Sequence, residues 1–210
     1  MSTEKLQKII LPHFKCLVKD KSWSVRKAAA ESLHTLLEYI PEGPESLDLQ
    51  SMVKEYYIQL SSDASYLVRA AARQSIGEIL AQLNASLISQ EMIDVFVSFA
   101  TEHPPSSSSL SSSSPVTLPA AAAADTTAPV LNNFAKIFST VATKLGSGKW
   151  NQIQKLFSYL AQSVDEGILS SLSETLHELA HLLPSDIFSR DVMPFLSKWV
   201  PPSDCMTGYD

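Results

Sequence analysis

The sequence predicts an all-α fold, a solenoid of about four and a half stacked antiparallel helix pairs. Three observations carry this reading. "LVKDKSWSVRKAAAESL" (17–33) lies over "LSSDASYLVRAAARQSI" (60–76) without a gap, with eight identities in seventeen positions. Apolar residues recur at the helical period in every segment outside 104–128, and none alternates as strands do. Small residues cluster at the same place in both copies, Ala28–Ala30 and Ala70–Ala72, where neighbouring helices must approach closely.

The first pair is expected near 4–39. Leu6, Ile9, Ile10, Phe14 and Leu17 form the apolar side of its first helix, and Pro12 bends that helix. Asp20 falls in the turn, where a short carboxylate accepts backbone N–H groups at the next helix start. The second pair (48–82) repeats the scheme with Met52, Tyr56, Tyr57 and Leu60, then Asp63. A third (87–145) opens with Met92, Ile93, Phe96 and Phe99 and resumes at Val130 with Leu131, Phe134, Ile137, Phe138, Val141 and Leu145, before a stop at Gly146. Between its members, "PPSSSSLSSSSPVTLPAAAAADTTA" (104–128) is too poor in large apolar groups to bury a core and reads as a disordered insertion. A fourth pair spans 149–183. "VMPFLSKWV" (192–200) matches "ILPHFKCLV" (10–18), so it reads as the first helix of a truncated fifth pair, before a tail at 201–210. The organisation expected is therefore 1–103, insertion 104–128, 129–200 and tail.

A period of about 40–47 residues built from two helices is the signature of HEAT-type solenoids. The Asp-x-x-x-x-Val-Arg spacing resembles that family's motif, in which the arginine reaches the turn aspartate of an adjacent repeat. Arg26, Arg69, Asp20 and Asp63 are then expected to form one rung of such a ladder; the alternative is two solvated surface pairs, which contribute little.

One motif points elsewhere. "HELAH" (177–181) has the His-Glu-x-x-His spelling of a zinc protease helix. Overlaid on the first pair, Ile168, Glu174, Leu176 and His177 fall on Val25, Glu31, Leu33 and His34, so a histidine already occupies that position in a repeat lacking the motif. The apolar stripe is Ile168, Leu172, Leu176, Leu179 and Leu183, which turns His177 and His181 to the opposite face. A zincin also needs a third ligand; Pro184 and Ile187 stand where the extended motif requires Gly and His, and no glutamate follows Glu178. The motif is expected to be helix surface, with no metal and no cofactor.

The remaining features narrow the function class. The six glycines never fall at a phosphate-loop spacing, and no Gly-x-Ser-x-Gly elbow occurs. Cys16 reads as a packing residue rather than a nucleophile. A formal charge of −6 argues against nucleic acid or an anionic membrane as the main partner. Two separated cysteines, Cys16 and Cys205, suit a reducing compartment, and no run is long enough for a signal peptide or membrane span; a cytoplasmic or nuclear location is expected.

The order "ILPHFKCLVKDKSWSVRKAAAESL", "VRAAARQSIGEIL", a low-complexity insertion, "VATKLGSGKWNQIQKLFSYLAQS" and "LHELAHLLP" resembles the regulatory subunit 1 family of serine/threonine protein phosphatase 4, related to the phosphatase 2A scaffold. Leu145, Gly146 and Trp150 match that family's Leu-Gly-x-x-x-Trp element, and 177–179 its His-Glu-Leu stretch. Two departures stand out: the insertion is nearly uncharged where the family's is largely acidic, and Ser163 and Leu169 replace the repeat's Asp and Arg. The resemblance implies a non-catalytic subunit that binds a phosphatase catalytic subunit and phosphoprotein substrates. The turn residues Lys21, Trp23 and Tyr66 are the candidate contacts, the alternative being aromatics packed between repeats. Two other functions remain open: a transport- or condensin-like HEAT adaptor, and a zinc hydrolase using 177–181.

Overall fold

The computed structural model describes residues 5–40, 43, 46–101 and 124–199, and all regular structure among them is helical. A π-helical turn, Leu6–Ile10, runs into α1 (Leu11–Val18). Pro12 has no N–H to give and would crowd the carbonyl one turn back; the widened turn before it relieves both problems. A short turn leads to α2 (Trp23–Glu38). The second pair is α3 (Ser46–Ser61) with α4 (Tyr66–Gln74) and its continuation α5 (Ile76–Gln82). The third is α6 (Gln90–Thr101) with α7 (Ala124–Leu145), and the fourth is α8 (Trp150–Ala161) with α9 (Glu166–Glu174) and α10 (Leu176–Leu182). Two further helices follow, α11 (Ser185–Asp191) and α12 (Met193–Trp199).

The second helices stack in sequence order, α2 on α4, α5 on α7, and α7 on α9 and α10, while α1 packs on α3 and α6 on α8. This gives two layers with one continuous core between them. Ala29, Ala30, Ala71 and Ala72 are buried where α2 meets α4, so the small residues serve close approach. Farther along the core becomes aromatic: Phe96 stacks on Phe134 at 5.1 Å, and Phe138, Trp150 and Phe157 form a cluster that Phe195 of α12 extends at 5.7 Å from Phe157.

Two of the second helices are interrupted at matching positions. Ser75 Oγ donates to the carbonyl of Ala72 (3.1 Å) and also crosses to Ala30 (3.2 Å); Thr175 Oγ1 donates to Leu172 (3.1 Å). Hydroxyls bonding backward to the preceding turn loosen the helical ladder and bend the helix there. Ser32 holds the same place in α2 and bonds backward to Ala28 at 2.8 Å, yet that helix runs through, so the hydroxyl alone does not set the break. Beyond the α4–α5 bend, Gly77 sits where His34 and His177 lie in the other repeats, because Ile137 of α7 occupies the space a β-carbon would take.

Several expectations need correction. The helix of the third pair begins at Ala124, inside the segment assigned to the insertion, and carries Pro129 in its second turn, where one backbone bond is lost. The rest of the expected insertion, 104–123, and the tail at 201–210 lie outside the described residues. The helix Ser185–Asp191 was not anticipated. Cys16 is exposed, its thiol donating to the carbonyl of Pro12 at 3.4 Å, rather than packed in the core. Met92, Ile93 and Phe96 are buried as the periodicity requires, while the side chain of Phe99 lies outside the described residues. No described helix is long and apolar enough to cross a membrane.

Candidate functional site

The turns that join the two helices of a pair share one construction. Asp20 Oδ1 accepts the N–H of Ser22 and Asp63 Oδ1 that of Ser65, both at 2.8 Å. Ser22 and Ser65 then start α2 and α4 with nearly identical extended backbones, φ −78°, ψ 123° and φ −79°, ψ 126°. An aspartate that closes a turn on the N–H two residues ahead fixes where the next helix begins. In the fourth pair Ser163 Oγ accepts the N–H of Asp165 (3.1 Å), and Asp165 caps α9 through Gly167 and Ile168. The serine that replaces the repeat aspartate thus keeps the local turn but brings no charge.

Arg26 links two turns. Its Nε and Nη2 reach Asp63 Oδ2 and Oδ1 at 2.7 and 3.0 Å, and its Nη1 donates to the carbonyls of Asp20 and Lys21. The guanidinium hydrogen bond is the main reason the Asp63 carboxyl lies below the usual range, with burial opposing and the Ser65 N–H assisting. Arg69 donates from Nη1 to the carbonyls of Asp63 and Ala64, closing its own turn as Arg26 does. The structure therefore brings Arg26 and Asp63 together across repeats. It leaves the Asp20 carboxylate on its own turn.

On the rim of this framework, Lys21 is exposed, Trp23 is 47 % exposed and Tyr66 is 71 % exposed. Trp23 and Tyr66 occupy the same position in successive repeats, and the Arg69 guanidinium lies 6.0 Å from the Tyr66 ring centre. Leu67 and, two turns on, Val164 add exposed apolar groups at equivalent edges. Neither aromatic is buried between repeats.

His177 and His181 are exposed, and the stripe Ile168, Leu172, Leu176, Leu179 and Leu183 is buried. The histidines line a groove of about 710 Å³ with Thr140, Thr143, Lys144, Glu178 and Leu182. Lys144 is already engaged, donating to the Leu83 carbonyl at 2.9 Å, and burial lowers its pKa. No group of three or more His, Cys, Asp or Glu side chains is arranged to hold a metal among the described residues.

Sequence reasoning missed two polar ties. Trp150 is buried, and its indole N–H donates to Asp191 Oδ2 at 2.8 Å; Arg190 donates to the same carboxylate, which is 4 % exposed. Arg190, then Trp150, holds the Asp191 carboxyl below its ordinary value against the opposing effect of burial. Glu78 joins three repeats, accepting from Asn133 Nδ2 (2.6 Å) on one oxygen while the other lies 3.3 Å from His34 Nδ1. An adjacent Arg-Asp pair just ahead of an apolar run, in "FSRDVMPF", was the only signal for the first; the second had none.

A HEAT repeat family model matches residues 10–40, which covers α1, the first turn and α2. No curated protein matches the chain. Stacked helix pairs with exposed turns form the architecture of a helical-repeat scaffold or adaptor. The chain is an all-α solenoid of HEAT-repeat type.

Proposed function

We propose that this chain is a non-catalytic regulatory or scaffolding subunit of a serine/threonine protein phosphatase of the phosphatase 4 type. It holds the catalytic subunit along the turn edge and presents phosphoprotein substrates to it, in the cytoplasm or nucleus. The observation that carries the scaffold half of this reading is the pair Trp23 and Tyr66, large aromatics left exposed at equivalent turns on a rigid, cross-bridged frame. Burying side chains of this size stabilises by roughly 2–3 kcal/mol each, so a covering partner has much to gain. Backbone fixed by Asp20, Asp63 and Arg26 pays little ordering entropy on binding. The choice of a phosphatase rests on the likeness of the Leu145-Gly146-x-x-x-Trp150 element and the 177–179 stretch to the phosphatase 4 regulatory family.

The test is a pull-down with a purified phosphatase 4-type catalytic subunit, comparing the parent with Trp23→Ala/Tyr66→Ala. The parent retains the catalytic subunit and the variant releases it, with no change in melting temperature. Equal retention by both proteins sinks the turn-edge assignment. Failure of the parent to retain it, alongside capture of a transport or chromosome protein, favours a different HEAT adaptor.

A further inference from the structure

Arg26 and Arg69 are the same residue of successive repeats, and the first shows what the second is shaped to hold. Each folds Nη1 back onto two carbonyls of its own turn: Arg26 onto Asp20 (2.8 Å) and Lys21 (3.1 Å), Arg69 onto Asp63 (2.6 Å) and Ala64 (2.9 Å). The turns beneath match, since Ser22 and Ser65 have nearly identical backbones. With Nη1 pinned, the planar guanidinium presents its other edge, Nε and Nη2, along the stack. On Arg26 that edge takes both oxygens of Asp63, at 2.7 and 3.0 Å. On Arg69 the same edge meets no acceptor among the described residues. The surroundings suit an acid brought by another protein. Tyr66 is 71 % exposed with its ring 6.0 Å from the Arg69 guanidinium, and the neighbouring Leu67 is also exposed. The two turns, 19–26 and 62–69, hold Lys19, Lys21, Arg26 and Arg69 against Asp20 and Asp63, four cations to two acids on a chain of formal charge −6.

We propose that the Nε/Nη2 edge of Arg69 is a receptor for a carboxylate, an aspartate or glutamate side chain of the protein that covers Tyr66. The inference rests on the turn edge being the docking side, and it names the chemistry of what docks there. The partner brings an acid onto Arg69 and an apolar side chain onto the Tyr66 ring. Charge complementarity across the two turns selects the acid. Arginine suits the task better than lysine, because two parallel N–H donors fix the orientation of a carboxylate where an ammonium acts as a point charge. Since Nη1 is already tied to Asp63 and Ala64, little side-chain freedom remains to be lost when the acid arrives.

The experiment has two arms, both on the full chain. The chain has four arginines, so nitrogen-15 labelling gives four Nε–H signals in a two-dimensional NMR spectrum: Arg26, Arg69, Arg73 and Arg190. Arg69→Lys identifies the Arg69 signal by its loss. Sodium acetate, raised to about 200 mM, displaces that signal more than sodium chloride at the same ionic strength. Arg26 and Arg190, whose Nε groups already hold carboxylates, stay in place. In the second arm, Arg69→Lys keeps the charge and the parent melting temperature but retains a phosphatase 4-type catalytic subunit at least fivefold more weakly than the parent. No displacement of Arg69 beyond that of chloride overturns the proposal. So does a change of the Arg69 signal in acetate-free Glu102→Gln, because the chain's own acid, three residues after Phe99 as Asp63 is after Leu60, then fills the fork. If Trp23→Ala/Tyr66→Ala releases the catalytic subunit while Arg69→Lys holds it as the parent does, this inference alone fails. If the parent retains no catalytic subunit yet acetate still displaces Arg69, the phosphatase reading fails and the carboxylate site stands.

Discussion

Replacing Trp150 with Phe should destabilise the chain by about 3 kcal/mol, and the structure says where that comes from. Trp150 is 1 % exposed, and its indole N–H is bonded at 2.8 Å to the nearly inaccessible carboxylate of Asp191. A hydrogen bond to a charged group contributes about 1.5–3 kcal/mol. The smaller ring also leaves a void among Phe138, Phe157 and the indole site, which adds about 1 kcal/mol. Against a total stability of about 5–15 kcal/mol, that is a large fraction. In urea, with a slope of about 2 kcal/mol per molar, the midpoint falls by more than 1 M. The deficit depends on pH in a definite direction. The Asp191 carboxyl is held below its unfolded value, so its contribution is complete above about pH 4 and is lost as pH falls through the lower folded value. The parent therefore loses more stability on acidification than Trp150→Phe, and the difference between them narrows below about pH 4. A double-mutant cycle with Asp191→Asn separates the tie from the cavity and should give a coupling of about 1 kcal/mol or more. A midpoint shift no larger than that of an exposed-site control, or strictly additive single and double variants, would refute the reasoning.

Three further outcomes are expected. Val68→Asp places a carboxylate in a fully buried site and should lower stability by several kcal/mol, whereas Val25→Asp, at a half-buried position, should cost much less; thermal melts compare them. Asp63, like Asp191, has a depressed carboxyl pKa, so a melting series from pH 7 to 3 should fall below the ordinary carboxylate range, and Asp63→Asn/Asp191→Asn should flatten that fall; parallel profiles would contradict it. His177→Ala/His181→Ala should leave the melting temperature and partner capture unchanged, and loss of a peptidase activity in this variant alone would revive the zinc reading.

The helix pairs were legible because their cause is periodic. The identities from Leu17 to Ser75 mark a shared helix-pair plan, although Leu17 is exposed where Leu60 is buried, and the stripe ending at Leu183 alone turns the HELAH histidines outward. The aspartate turns were also legible, since an Asp two residues before a helix-starting Ser has a local role. Other features depend on partners far apart in the chain. Asp191 and Trp150 are 41 residues apart and neither belongs to the repeat motif. The exposure of Trp23 and Tyr66 was undecided because an aromatic at a repeat turn suits either a neighbour's side or open solvent, and only the stacking geometry chooses. Val25 and Val68 are identical in sequence yet differ in burial, because Val68 has a repeat stacked on each side of its own. The start of α7 at Ala124 was hidden by its composition, since alanine and threonine ahead of Pro129 read as a loop as readily as a first helical turn.

Hydrogen–deuterium exchange of the chain alone and bound to a phosphatase 4-type catalytic subunit tests the central claim most directly. The account predicts slowed exchange concentrated at the turns around 19–24 and 62–67, where Trp23 and Tyr66 stand, with the HELAH face at 177–181 unaffected. Protection confined to 177–181, or no change anywhere at saturating catalytic subunit, would contradict it.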